Sequence, residues 1–168
     1  MDYTKEELDV SNTEIRECPN LSLYPNLKIF KCHNTKITEL SELPPTLTEL
    51  DCSKTKITQL PELPQTLTKL DCSKTKITQL PTLPQTLTEL HCHNTPLTQL
   101  PTLPQTLTLL YCDNTQITQL PPLPQTLDDL DCRNCPINEI MGYPITLENR
   151  ERYNADLYLM ASQKPFMK

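Results

Sequence analysis

A segment close to LPxLPQTLTxLxCxxTxITQ returns every 20 residues through the middle of the chain, with Cys32, Cys52, Cys72, Cys92, Cys112 and Cys132 on one register. A fixed period of this length confines the chain to a solenoid, in which neighbouring copies bury one another's apolar faces. Such a stack offers a long recognition surface more readily than a catalytic pocket. Aligned on the cysteines, complete copies run 27–46, 47–66, 67–86, 87–106, 107–126 and 127–146. A looser copy precedes them, in which Leu8, Val10, Thr13 and Ile15 match Leu50, Cys52, Thr55 and Ile57, and its connection ECPNLSLYPN is two residues longer. The expected organisation is one continuous domain: a degenerate first repeat and N-terminal cap over 1–26, six repeats over 27–146, and a C-terminal helical cap over 147–168.

Around Leu50 and Cys52 the apolar residues alternate with period two, the mark of a strand with one buried face. Stacked copies then form a parallel sheet with strands ~4.8 Å apart, so that seven of them span roughly 30 Å. The return segment ITQLPELPQT cannot be a long helix, because Pro61 and Pro64 remove amide donors and bias the residues before them toward extended geometry. Its leucine and proline spacing suits a polyproline-like run with about three residues per turn. After Thr146 the period breaks. ENRERYNADLYLMAS reads as a helix capped by Thr146, with Glu148 and Arg152 as an i,i+4 pair and Leu147, Tyr153, Leu157, Tyr158 and Ala161 as an apolar stripe.

The segment Leu47–Ile57 fits LxxLxLxxNxL with Cys52 at the third apolar position and Thr55 at the usual Asn. With the LPxLP element at 60–64, 80–84, 100–104 and 120–124, the pattern over residues 5–146 resembles the short leucine-rich repeats of bacterial secreted effectors and of repeat proteins from large DNA viruses of amoebae. The resemblance implies a mainly β solenoid of the α/β type. It has a parallel concave sheet, an extended polyproline-like convex side and a C-terminal capping helix. Some such effectors carry a ubiquitin-ligase domain with a Cys-x-Asp nucleophile. No Cys-x-Asp occurs in this sequence, so that activity does not carry over.

Composition narrows the function further. With one glycine, Gly142, the chain cannot build a Gly-rich phosphate loop, a GxGxxG fingerprint or a GxSxG elbow. A formal charge of −6 argues against nucleic acid as a partner. The start MDYTKEELDV lacks the basic and apolar regions of a signal peptide, and no apolar stretch approaches the ~20 residues of a membrane span. The expectation is a cytoplasmic protein, in the host cell if it acts as an effector, with no membrane partner and no cofactor.

In-register cysteines on parallel strands have parallel Cβ vectors that hold their sulfurs too far apart for a disulfide, and a straight ladder cannot surround zinc. The six are read as apolar fillers. The pair Cys132 and Cys135 has CxxC spacing, but Cys135 falls in the threonine column. Thr35, Thr55, Thr75, Thr95 and Thr115 stand where asparagine normally pairs the turn's backbone, each hydroxyl able to donate to a carbonyl and accept an amide. Both columns are architecture.

Function is expected where the copies differ. The outward column through each strand reads Asp9, Lys31, Asp51, Asp71, His91, Tyr111, Asp131, flanked by Glu7, Ile29, Glu49, Lys69, Glu89, Leu109, Asp129 and by Ser11, His33, Ser53, Ser73, His93, Asp113, Arg133. The later copies diverge here while keeping their core. Leu109 and Tyr111 beside His91 and His93 make an amphipathic patch of the kind enriched at interface hot spots. The partner-binding centre is therefore assigned to Leu109, Tyr111, His91, His93 and Asp113, with Asp71 and Arg133 at its rim. His91, His93 and Asp113 have metal-donor chemistry but no evident supporting shell, and no nucleophile–base pair is present; neither a metal nor a catalytic site is expected. Lys36, Lys54, Lys56, Lys74 and Lys76 line one edge beside Asp51 and Asp71 and are read as a solvated mixed-charge surface, the alternative being a basic stripe that steers an acidic partner segment. The reading is a monomeric, non-enzymatic module that binds a partner protein, its ends and edge open to association. The alternatives are an assembly component, or an adaptor presenting substrates to a host ubiquitin or signalling enzyme.

Overall fold

The computed structural model describes residues 4–162. Seven three-residue strands, β1 (Glu7–Asp9), β2 (Ile29–Lys31), β3 (Glu49–Asp51), β4 (Lys69–Asp71), β5 (Glu89–His91), β6 (Leu109–Tyr111) and β7 (Asp129–Asp131), form one parallel sheet in chain order. From β2 onward the register advances by 20 residues per strand, pairing Leu50 with Leu70 and Leu70 with Leu90. The first step is longer, pairing Leu8 with Phe30. Its two extra residues are taken up around a 3-10 turn, Leu21–Leu23, capped by the Asn20 side chain, which accepts the Ser22 amide at 3.1 Å.

Each turn of the solenoid is built by local rules. The middle strand residue points inward and its neighbours outward, as period two requires. The cysteine amide extends the ladder, Cys52 donating to the Asp71 carbonyl at 2.8 Å. Two residues later the chain bends at a left-handed position, with φ between 53° and 57°, filled by Asn12, Asn34, Asn94, Asn114 and Asn134 but by Lys54 and Lys74 in two turns. Asparagine tolerates this region better than lysine. The following threonine closes the bend: Thr55 Oγ1 donates to the Cys52 carbonyl at 2.7 Å. The extended return then ends in a tight turn, Leu67 donating to the Pro64 carbonyl at 3.1 Å. Leu47, Leu67, Leu87 and Leu107, with the six-cysteine column and Ile57, Ile77 and Ile117, fill the core; the cysteines are free thiols.

The Thr35–Thr115 column bonds within its own turn, to the cysteine three residues back, and not across to the next amide. Other threonines join the turns. Thr86 Oγ1 donates to the carbonyls of Gln65 and Leu67, both at 2.8 Å, and the same fork recurs at Thr66, Thr106 and Thr126. A second column runs beside it, Thr68 donating to Thr48 and Thr88 to Thr68, both at 3.0 Å. Buried carbonyls of the return segment need such partners, since extended backbone has none of its own.

The last turn departs from the extended pattern. After Cys135 the return lacks LPxLP and forms helix α1 (Pro136–Met141), with proline at its first position and Gly142 at φ 72° as its left-handed cap. Helix α2 (Arg150–Ser162) starts later than the sequence suggests, leaving Glu148 outside it. The i,i+4 pair is instead Arg152 with Asp156, at 3.8 Å. Thr146 does not cap α2; its amide donates to Asn149 Oδ1 at 2.9 Å. Of the expected apolar stripe, Tyr153 is fully buried and Leu157 half-buried, whereas Tyr158 is 76 % exposed. Tyr158 follows Leu157 directly, so a 100° step turns it away from the face that Tyr153 and Leu157 bury. No helix among the described residues is long and apolar enough to cross a membrane.

Candidate interaction surface

The strand register brings the sequence-assigned residues onto one face. His91 and Tyr111 are direct cross-strand partners, as are Glu89 and Leu109. The His91 and Tyr111 rings meet edge to face at 5.1 Å with an interplanar angle of 89°, and His91 stands 6.5 Å from His93. Pairs of this kind hold aromatic rings in one orientation. The Tyr111 hydroxyl donates to Asp129 Oδ2 on the next strand. That carboxylate raises the phenol above its ordinary pKa and keeps it a donor. Leu109 lies half-buried on the same face. The centre is thus a braced aromatic ring flanked by an apolar side chain, with its one hydroxyl already bonded.

The other assigned residues are tied more closely to the scaffold. Asp71 Oδ1 accepts the Ser73 amide at 2.9 Å, and Asp113 accepts from Asn114 Nδ2. Ser53 and Ser73, placed outward by the alternation, are buried beneath their aspartates. Arg133 folds back on its own strand, Nε donating to Asp131 Oδ1 at 3.0 Å and Nη2 to Oδ2 at 2.6 Å. The guanidinium holds the Asp131 carboxyl below its usual range. His93 Nδ1 is buried without a hydrogen-bond partner among the described residues. His91, His93 and Asp113 do not converge as a metal-holding group, and no three His, Cys, Asp or Glu side chains do among the described residues.

Two hollows mark the face. One, of about 360 Å³, lies at its C-terminal end between Tyr111, Asp129, Asp131 and Arg133 on the sheet and Asn138 and Pro144 of the cap. The other, of about 180 Å³, runs along β2–β5 beside Lys31, Glu49, Asp51, Lys69, Asp71 and Glu89. Here charges pair across strands, Lys31 with Glu7 at 2.7 Å and Lys69 with Glu89 at 3.1 Å. His33 Nδ1 sits 2.9 Å from Asp51 Oδ2. Of the lysine stripe, Lys36 pairs with Glu14, while Lys54, Lys56, Lys74 and Lys76 form no ion pair among the described residues. Asp129 and the cap residues of the larger hollow were not singled out from the sequence. The pairing of Tyr111 with Asp129 crosses columns, and Asn138 and Pro144 lie in the irregular last turn.

No family model matches the sequence, and no curated protein aligns with it significantly. Solved structures do. The YopM protein of Yersinia enterocolitica WA-314 superposes with a TM-score of 0.71 and 27 % identity over 80 % of this chain and 34 % of that one. A Shigella effector leucine-rich-repeat domain gives 0.68 and 28 % over 71 % and 54 %. YopM of Yersinia pestis, described as a leucine-rich effector protein, gives 0.67 and 30 % over 80 % and 44 %. The chain therefore spans between 34 % and 54 % of these proteins' lengths. They bear out the bacterial side of the sequence resemblance and lend nothing to the viral side. The chain is a leucine-rich-repeat solenoid, similar in its parallel sheet and stacked repeats to bacterial effector proteins.

Proposed function

We propose that the chain is a non-enzymatic recognition module that binds a partner protein on its concave sheet face, centred on Leu109 and Tyr111. His91, His93 and Asp113 surround the centre, with Asp71 and Arg133 at the rim. The observation that carries this reading is the braced Tyr111 ring, packed on His91 and bonded to Asp129 beside a hollow of about 360 Å³. A fixed aromatic ring gives contact area at little entropic cost, which is why tyrosine is enriched at hot spots. In copies 3 and 4 the matching positions hold Glu49, Asp51, Lys69 and Asp71, so the apolar centre is a departure from the repeat and not a consequence of it. The likeness to proteins described as bacterial effectors supports a partner in the host-cell cytoplasm. The test is recovery of binding proteins from host lysate on the wild-type chain and on a Leu109→Ala/Tyr111→Ala variant. The reading expects one protein retained by the first and lost by the second; the same proteins on both would contradict it.

A further inference from the structure

Cys135 is the one residue of the threonine column that is not threonine, and it bonds differently from the rest of that column. A threonine there would bond the Cys132 carbonyl, as Thr115 bonds Cys112 at 2.9 Å. That carbonyl is instead taken by Asn138 Nδ2 at 2.7 Å, so Cys135 is released from the bend. Its sulfur turns into the preceding turn, 3.1 Å from Thr115 Oγ1 and 3.2 Å from the Cys112 carbonyl oxygen. The register neighbour Cys132 is engaged elsewhere, its thiol donating to the Ile145 carbonyl at 3.1 Å. Cysteines one full turn apart in the column cannot meet in this way, because their Cβ bonds run parallel. Cys112 and Cys135 are off register, and the Cys135 sulfur reaches across the turn to Cys112 itself.

We propose that Cys112 and Cys135 form a disulfide under a peroxide oxidant, a covalent latch between the sixth and seventh turns. The Cys135 thiolate attacks one peroxide oxygen, giving a sulfenic acid and releasing water after proton uptake. The Cys112 sulfur then displaces the second water and closes the S–S bond. Two thiols are oxidised by two electrons and one hydrogen peroxide is reduced to two waters. Both sulfurs are buried, Cys112 fully and Cys135 at 4 % exposure, so a small oxidant is required.

The experiment treats the folded protein with hydrogen peroxide, blocks free thiols and maps peptides without reduction. Trypsin cleaves after Arg133 and so separates Cys135 from Cys92, Cys112 and Cys132; a second protease separates these three. The expected product is a Cys112–Cys135 link, lighter by two hydrogens. It is retained in Cys132→Ala and lost in Cys135→Thr, which restores the repeat's own residue. The oxidised wild type melts at a higher temperature, and a dithiol reductant removes the difference. Absence of the link, a Cys132–Cys135 link, or a link formed only in denaturant would overturn the proposal.

Discussion

Arg150 bonds the Leu127 carbonyl at 2.9 Å, the bond that Thr126 makes to Leu107 one turn earlier. Its Nη1 also reaches the carbonyls of Pro124 and Gln125, both at 3.2 Å. The cap continues the imitation: Asn154 both accepts from and donates to the Leu123 backbone at 2.9 Å, and the Tyr153 hydroxyl donates to Leu120 at 2.6 Å. The end of the solenoid is therefore satisfied by side chains of α2 that stand in for the missing next repeat. Hydrogen bonds from a charged donor contribute more than neutral ones. Arg150→Ala is expected to destabilise the protein by about 2–3 kcal/mol in urea unfolding, with Arg150→Lys between wild type and Ala, since the ammonium lacks the second nitrogen that bonds Gln125 Oε1 at 3.2 Å. A change near zero would mean that water replaces the guanidinium without cost.

The threonine fork between turns makes a similar but smaller prediction. Thr86→Val keeps the shape and leaves the carbonyls of Gln65 and Leu67 without their shared donor. The expected loss is about 1–2 kcal/mol. Thr98→Val, at an exposed position whose side chain makes no bond among those described, serves as the control and stays within about 0.5 kcal/mol. Equal effects at the two sites would remove the fork from the account.

Lys54 and Lys74 occupy left-handed positions that asparagine fills in the other turns. The asparagines also bond one another across turns, Asn34 Nδ2 to Asn12 Oδ1 at 2.9 Å and Asn134 Nδ2 to Asn114 Oδ1 at 3.0 Å. Lys74→Asn is expected to raise stability by about 0.5–1 kcal/mol through relief of the backbone alone. Thermal melting of the single and the Lys54→Asn/Lys74→Asn double variant checks it; a lowered midpoint would contradict it.

The cysteine column predicts the response to alkali. Burial raises Cys52 and Cys92 far above the ordinary value of 9.0 and pushes Cys132 up to about 12, while Cys112 is raised as far by the neighbouring Cys135 sulfur first and by burial second. Cys32 and Cys72 are also raised by burial. A raised folded pKa contributes stability that is whole below the unfolded value and is lost as pH climbs toward the folded one. Above about pH 9 the unfolded chain ionises these thiols while the folded chain keeps them neutral, a loss approaching about 1 kcal/mol per thiol per pH unit. Cys135 runs the other way, drawn down to about 6 by the Cys112 thiol, and offsets part of one. Urea midpoints should fall by several kcal/mol equivalents between about pH 8 and about pH 10. A flat profile would show that the column is hydrated.

Much of this structure could be read from the period. The strand columns, the buried cysteines and the outward residues follow from one alignment, because parallel register converts a 20-residue offset directly into adjacency. What the period hides is bonding between neighbouring copies. Thr66 and Thr86 look like polar surface in a single repeat, and their role appears only when the preceding return segment lies against them. The last turn was the least legible. Proline at 136 and glycine at 142 frame a helix, yet the repeat pattern argues for an extended return over the same residues. Tyr111 was found because it breaks the column, whereas its partner Asp129 resembles the acids around it.

Calorimetry of an identified partner against the wild type and Tyr111→Ala tests the central claim most directly. The account predicts a loss of about 2 kcal/mol or more, roughly thirtyfold in affinity, with an unchanged melting profile. Tyr158→Ala, on the outer face of α2, should bind as the wild type does. Unchanged affinity for Tyr111→Ala, with the loss appearing in Tyr158→Ala instead, would contradict recognition on the concave sheet.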